Sequence, residues 1–269
     1  MRFARTYVPA FFSLLLVFPV FSRQQAPPST SSSPQALALL QNSLAALTGG
    51  QPINDVTLVG TARRIAGSDD ETGTATLRAL ASGAGRMDLS LSSGQRSEVE
   101  NLSVTPPAGS WSGPDRVSHA IAFHNLLSEP SWFFPAFAIA HRLSNSSYVA
   151  TYVGQETHDG QAVQHIIVSQ TAPLPNPPGG ATYEHLTQID FFLNFTTLLP
   201  AAISFNVHPD NNALLNLPVE IGFSDYRSVN GAQIPFHIQK LLNNSLILDF
   251  QAQSVTPNSG LTASAFGAL

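Results

Sequence analysis

The sequence predicts an α+β chain that is mainly β. It reads as one large curved antiparallel meander with a helix at its start and a helical lid in mid-chain. Three observations carry this. From Asp55 onward apolar residues recur with a period of two. Asn-Gly, Asp-Gly and Ser-Gly pairs fall between the alternating runs. Two segments break the alternation with helical spacing or a continuous apolar run.

Residues 1–26 read as a secretory signal peptide. Arg2 and Arg5 precede an apolar run of 14 residues, Val8 to Phe21, and the polar Ser22-Arg23-Gln24-Gln25-Ala26 follows. A spanning helix needs roughly 20 apolar residues, and this run also holds Pro9 and Pro19. The expected location is therefore periplasmic or secreted, with no transmembrane span in the mature chain. Residues 27–34, Pro-Pro-Ser-Thr-Ser-Ser-Ser-Pro, read as a disordered tether. Residues 35–269 read as a single domain. Its first element is a helix from Gln35 to Leu47, with Leu37, Leu40, Leu44 and Leu47 on one face and Gly49-Gly50 as its stop.

The strands follow. Met87, Leu89 and Leu91 alternate with polar residues, as do Ile203, Phe205 and Val207. So do Val219, Ile221 and Phe223, then Ile234, Phe236 and Ile238. Ile189, Phe191 and Leu193 share one parity, as do Leu246, Leu248 and Phe250. One buried and one wet face is the condition of an antiparallel sheet. Ten or eleven strands are expected, joined by hairpins at Ser93-Gly94, Asp159-Gly160, Asn230-Gly231 and Asn243-Asn244. Within this region Asp115 to Leu143 reads as two short helices divided at Glu129-Pro130. The second, from Ser131 to Ala140, is apolar on every side, as a buried helix or a lid is. The Pro/Gly-rich stretch 172–182 reads as a loop inside the sheet.

Composition limits the functions available. There is no cysteine, so disulfides, thiolate metal sites, a cysteine nucleophile and a lipoprotein anchor are excluded. Loss of the signal removes Arg2, Arg5 and Arg23, leaving 9 basic against 17 acidic residues, a net charge near −8. Such a chain is a poor partner for nucleic acid. Gly109-Ser110-Trp111-Ser112-Gly113 lacks serine at the third position of a nucleophile elbow and reads as a surface turn. The eight histidines give no metal-ligand spacing: His119 and His124 are five apart, on different faces of a helix. No cofactor is expected, and the chain is read as non-catalytic.

The stretch Phe223 to Phe236 carries Asp225-Tyr226-Arg227, then Val229-Asn230-Gly231, then Ile234-Pro235. It resembles the Asp-Tyr-Arg, Asn-Gly and Leu-Pro hairpin of exported bacterial proteins similar to the periplasmic outer-membrane-lipoprotein carriers, the LolA/LolB-like family. Asp190 to Pro200, an aromatic strand leading through Thr to Leu-Pro, resembles another hairpin of that group. The resemblance implies an open half-barrel whose apolar concave face is covered by helices and holds an acyl chain. Its motifs are turns, so no functional residue transfers with it.

The expected function is binding or carriage of an apolar small molecule or lipid, beneath the mid-chain lid. The candidate ligand-binding residues are Trp132, Phe133, Phe134 and Phe137 on the lid and Ile203, Phe205, Phe223 and Phe236 on the sheet. Two other readings stay open: an envelope domain with a packed interior that acts through a protein partner, and an enzyme with no recognisable motif.

Overall fold

The computed structural model describes residues 31–171, 182–267 and 269. The stretch read as a signal peptide, residues 27–30 of the stretch read as a tether, and the Pro/Gly-rich stretch apart from Thr182 lie outside the described residues.

The first helix, α1, spans Pro34–Thr48. Ser33 caps it by accepting from the Ala36 N–H, and Pro34 occupies the first turn, where its missing N–H costs nothing. The helix therefore opens one residue inside the stretch read as tether. Ser32 and Ser33 before it are tied to Ala150 by hydrogen bonds of 3.0 and 2.8 Å. Gly49 ends the helix at φ 61°, donating its N–H to Ala45 O. Ala36, Leu40, Ser43 and Leu47 form the buried face, with Leu37 and Leu44 half-buried at its flank.

Six strands follow: β1 (Asp55–Ala66), β2 (Asp69–Leu80), β3 (Ala84–Leu91), β4 (Gly94–Asn101), β5 (Ala108–Ser112) and β6 (Ser118–Ala120). A crossover then holds α2 (Pro135–Ser144). Next come β7 (Tyr148–His158), β8 (Gln161–Gln170), the one-turn helix α3 (Tyr183–Thr187), β9 (Ile189–Asn194) and β10 (Pro200–Val207). The chain closes with β11 (Leu217–Val229), β12 (Ala232–Leu242) and β13 (Ser245–Pro257). All thirteen strands join one antiparallel sheet in the order β6-β5-β4-β3-β2-β1-β13-β12-β11-β10-β9-β8-β7. Two meanders thus meet at a β1–β13 seam, where the buried Asp55 carboxylate accepts from both Ser259 donors and from the Gly260 N–H. The sheet does not close: among the described residues β6 and β7 are its two edge strands.

Laid flat at roughly 4.8 Å per strand, it would measure about 58 Å across. Yet residues from β3 round to β7 share one core with α1 and α2. The sheet must therefore curl around the helices, as the half-barrel expectation required. The Asp159-Gly160 and Asn230-Gly231 turns have positive φ at both residues, the condition of a tight two-residue hairpin. Phe223 and Phe236 face the same core, as the alternation implied.

Three expectations need correction. Among the described residues there are thirteen strands, because β5 and β6 are too short to show alternation. Gly109 to Ser112 belongs to β5 and is not a surface turn; Ser110 is buried and accepts the Leu269 N–H at 3.1 Å. Residues 115–129 are not a helix: they hold β6 and a single 3-10 turn at Asn125–Leu127. The helical-face argument for His119 and His124 therefore falls away; His119 instead stacks on Trp111 with centroids 4.3 Å apart.

Candidate functional site

The crossover leaves one free edge of the sheet, β6, and must reach the other, β7. It does so across the concave face, and every residue from Glu129 to Ile139 is buried. Trp132, Phe133 and Phe134 lie in the turn before α2, so the apolar run is only in part a helix. Trp132 meets Phe133 edge-on at 5.3 Å, and Phe134 meets Phe137 at 4.7 Å. At Pro130 the crossover presses on bare backbone. A Cβ on Gly85 of β3 would come within 1.8 Å of the Pro130 carbonyl oxygen, so glycine is required there.

The crossover is locked by charge. Arg142 of α2 donates to Glu129, and both side chains are 2% exposed. The other Glu129 oxygen accepts from the Ser131 N–H and hydroxyl. Burial pushes the Glu129 carboxyl up, but Arg142, Ser131 and His141 outweigh it and hold the group below its ordinary range.

Two clefts border the crossover. One, of ≈490 Å³, lies between α1 and α2 and is lined by Leu44, Ala45, Pro52, Ile53, Ala81, Ala136, Phe137 and Ala140 among others. The other, of ≈270 Å³, lies at the opposite end of the buried stretch beside Trp132, Phe205, Val207, Val219 and Leu242. Of the eight candidate residues, Trp132 and Phe205 line the smaller cleft and Phe137 the larger. Phe133, Phe134, Ile203, Phe223 and Phe236 line neither and fill the layer between helices and sheet. All eight belong to one continuous core.

Sequence reasoning missed the charges in the smaller cleft: Glu98 and Glu100 on β4, Lys240 on β12, and Asp210. Their signal is parity. Lys240 continues the in-facing series Ile234, Phe236, Ile238 and breaks it with a cation, held 4.5 Å from the centre of the Trp132 ring. One oxygen of Glu100 is buried without a hydrogen-bond partner. Burial first, then the nearby Glu98, push its carboxyl up to about 8, against the pull of Lys240.

The outer face holds the other polar clusters. Ser224 Oγ lies 2.9 Å from His237 Nδ1, and His237 Nε2 lies 2.9 Å from Asp249, a ladder across β11, β12 and β13. No loop or spacing motif marks it, because three hairpin strands bring it together. Among the described residues one group has metal-ligand convergence: His158 Nε2 is 3.4 Å from Glu220 and 3.9 Å from Asp159. Neither cluster lines either cleft.

The architecture is a curved sheet with two edge strands, its concave face filled by helices and bordered by one largely apolar and one charged cleft. Solved structures share it. An outer membrane lipoprotein-sorting protein domain from Vibrio parahaemolyticus matches with TM-score 0.55 at 12% identity, over 87% of this chain and 96% of that one. A LolA superfamily protein from Nitrosomonas europaea matches with TM-score 0.54 at 9% identity, over 86% and 97%. A DUF1329 family protein from Desulfovibrio piger matches with TM-score 0.53 at 10% identity, over 88% and 98%. The fold is thus LolA/LolB-like. No family model matches the sequence, and no curated protein matches it. Among the described residues no helix is long and apolar enough to cross a membrane.

Proposed function

We propose that this chain is an exported, non-catalytic carrier that binds an apolar ligand, a lipid or acyl chain, in the cleft between α1 and α2. The observation that carries this reading is the ≈490 Å³ cleft between α1 and α2, whose wall is mostly apolar (Leu44, Pro52, Ile53, Phe137 and four alanines) with Gln41, Thr48 and Gln51 as its polar side chains. That volume lies within the usual size of small-molecule sites. Ten methylenes buried at about 0.8 kcal/mol each would supply about 8 kcal/mol, equivalent to micromolar affinity before ordering costs. The likeness in fold to a lipoprotein-sorting domain supports the same ligand class. Phe137 touches the ligand directly; Trp132 and Phe205 line the smaller cleft. Phe133, Phe134, Ile203, Phe223 and Phe236 form the wall that a displaced crossover would uncover. The signal peptide puts the protein in the periplasm or outside the cell, where an envelope protein partner could receive the cargo.

Native mass spectrometry of protein purified without detergent, followed by titration with N-phenyl-1-naphthylamine, tests the reading. Co-purified lipid or saturable probe binding is expected, reduced by Ala140→Trp, which fills the cleft. Absence of both lipid and probe binding would refute it. Binding indifferent to Ala140→Trp would remove this cleft as the site.

A further inference from the structure

The smaller cleft differs in chemistry from the larger one. Its wall is apolar along Trp132, Phe205 and Val219, but four carboxylates and one lysine also reach it. Glu129 is neutralised by Arg142. Glu98, Glu100 and Asp210 remain against Lys240, an excess of one negative charge on a half-apolar wall while Glu100 holds its proton and of two once it ionises.

This excess is costly to maintain without a ligand. A carboxylate oxygen sealed from water needs a donor, and the buried Glu100 oxygen has none. Lys240 is engaged over Trp132. A small in-facing aliphatic residue on β4 would have closed the core without this penalty. What relieves it is a cation with N–H donors, delivered with an apolar body that fits the rest of the wall.

We propose that this cleft receives the protonated primary amine of an amphiphile, with Glu100 and Glu98 accepting from the ammonium group and the apolar chain lying along Trp132, Phe205 and Val219. The inference rests on the apolar-ligand reading above, extends it to the smaller cleft and names the head-group chemistry of an amphiphilic cargo. The same ammonium could belong to a simple long-chain amine or to an aminoethyl-phosphate lipid. In the second case Lys240 stands where the phosphate would lie.

The groups facing Glu100 are Glu98 on its own strand, Glu129 and Asp210 from the segments lying over it, and Lys240 across the sheet. In the empty cleft burial first, then Glu98, outweigh Lys240 and leave Glu100 holding its proton at neutral pH. An arriving ammonium favours the ionised carboxylate, so binding expels that proton. Affinity therefore rises as pH increases from 7 towards 9, below the range where the amine itself deprotonates.

The test is calorimetric titration at submicellar concentration with dodecylamine hydrochloride, dodecanol and sodium dodecanoate, at pH 7 and 8.5. Wild type and Glu98→Gln/Glu100→Gln are compared. Wild type should bind the amine at least tenfold more tightly than the alcohol or the carboxylate, and more tightly still at the higher pH. The double variant should lose that preference and keep its affinity for dodecanol, which also reports that it is folded. Equal affinity for amine and alcohol, or a preference that survives both substitutions, overturns the inference while the carrier reading stands. Failure of all three probes overturns both. Lysophosphatidylethanolamine against lysophosphatidylglycerol then distinguishes the lipid source from the simple amine.

Discussion

Arg142→Met removes the cation from the buried pair and keeps most of the side-chain volume. Glu129 would then be sealed at 2% exposure with only Ser131 to satisfy it. Breaking one member of such a pair costs about 3–5 kcal/mol, mostly the stranded charge. Loss of guanidinium contact with the Tyr148 and Phe191 rings, 5.4 and 5.9 Å away, adds to it. Removing both charges, as Glu129→Gln/Arg142→Met, should recover most of the loss. The pH dependence reverses. In wild type the Glu129 carboxyl lies below its ordinary 4.5, so its contribution is present above that pH and lost as pH falls through the folded value. With Arg142 gone, burial is opposed only weakly, the carboxyl rises, and stability is lost as pH climbs above 4.5. The gap between wild type and the single variant should therefore shrink from pH 7 to pH 4. Urea denaturation at both pH values measures it. A single variant within 1 kcal/mol of wild type, or a gap unchanged at pH 4, would refute the argument.

Phe236→Ala empties a 7%-exposed core position and should cost about 3–5 kcal/mol by urea denaturation. His237→Ala, one residue along and facing outward, should cost no more than about 1 kcal/mol, since its pair with Asp249 is some 30% exposed on each side. Glu100→Gln should stabilise the protein increasingly with pH. A carboxyl raised from 4.5 to about 8 in the folded state loses stability across that window. The ceiling is about 5 kcal/mol at about 1.4 kcal/mol per unit. With Glu100 only partly buried, a gain of about 2 kcal/mol at pH 8, vanishing near pH 4, is expected. A gain independent of pH would show that desolvation of Glu100 is not its source.

Much of this fold is legible because its strands obey one rule at a time. Val219 to Phe223 and Ile234 to Ile238 alternate cleanly, and Asn230-Gly231 permits only a tight turn between them, so register follows. The short strands are not legible. Ser118-His119-Ala120 has no apolar parity to read and is a strand only because β5 supplies a partner. The apolar run at Trp132 was legible as buried, but its turn-then-helix form depends on Pro135 opening α2. The charged cleft was hidden differently. Glu98 and Lys240 are 142 positions apart, and neither is unusual until the sheet curls both towards Trp132.

The β1–β13 seam has a consequence for how the chain reaches this state. Every other ladder joins strands consecutive in sequence, but at the seam Val56 pairs with Pro257 and Arg64 with Leu248, separations of 201 and 184 residues. Closing a loop of that length costs roughly 4–5 kcal/mol in chain entropy, against about 2 kcal/mol for a ten-residue hairpin. Each meander can zip from its own turns before the seam forms, and such local pairing is fast. Joining β1 to β13 is then the slow, committing event, and until it occurs each half exposes an unpaired strand edge to solvent and to other chains.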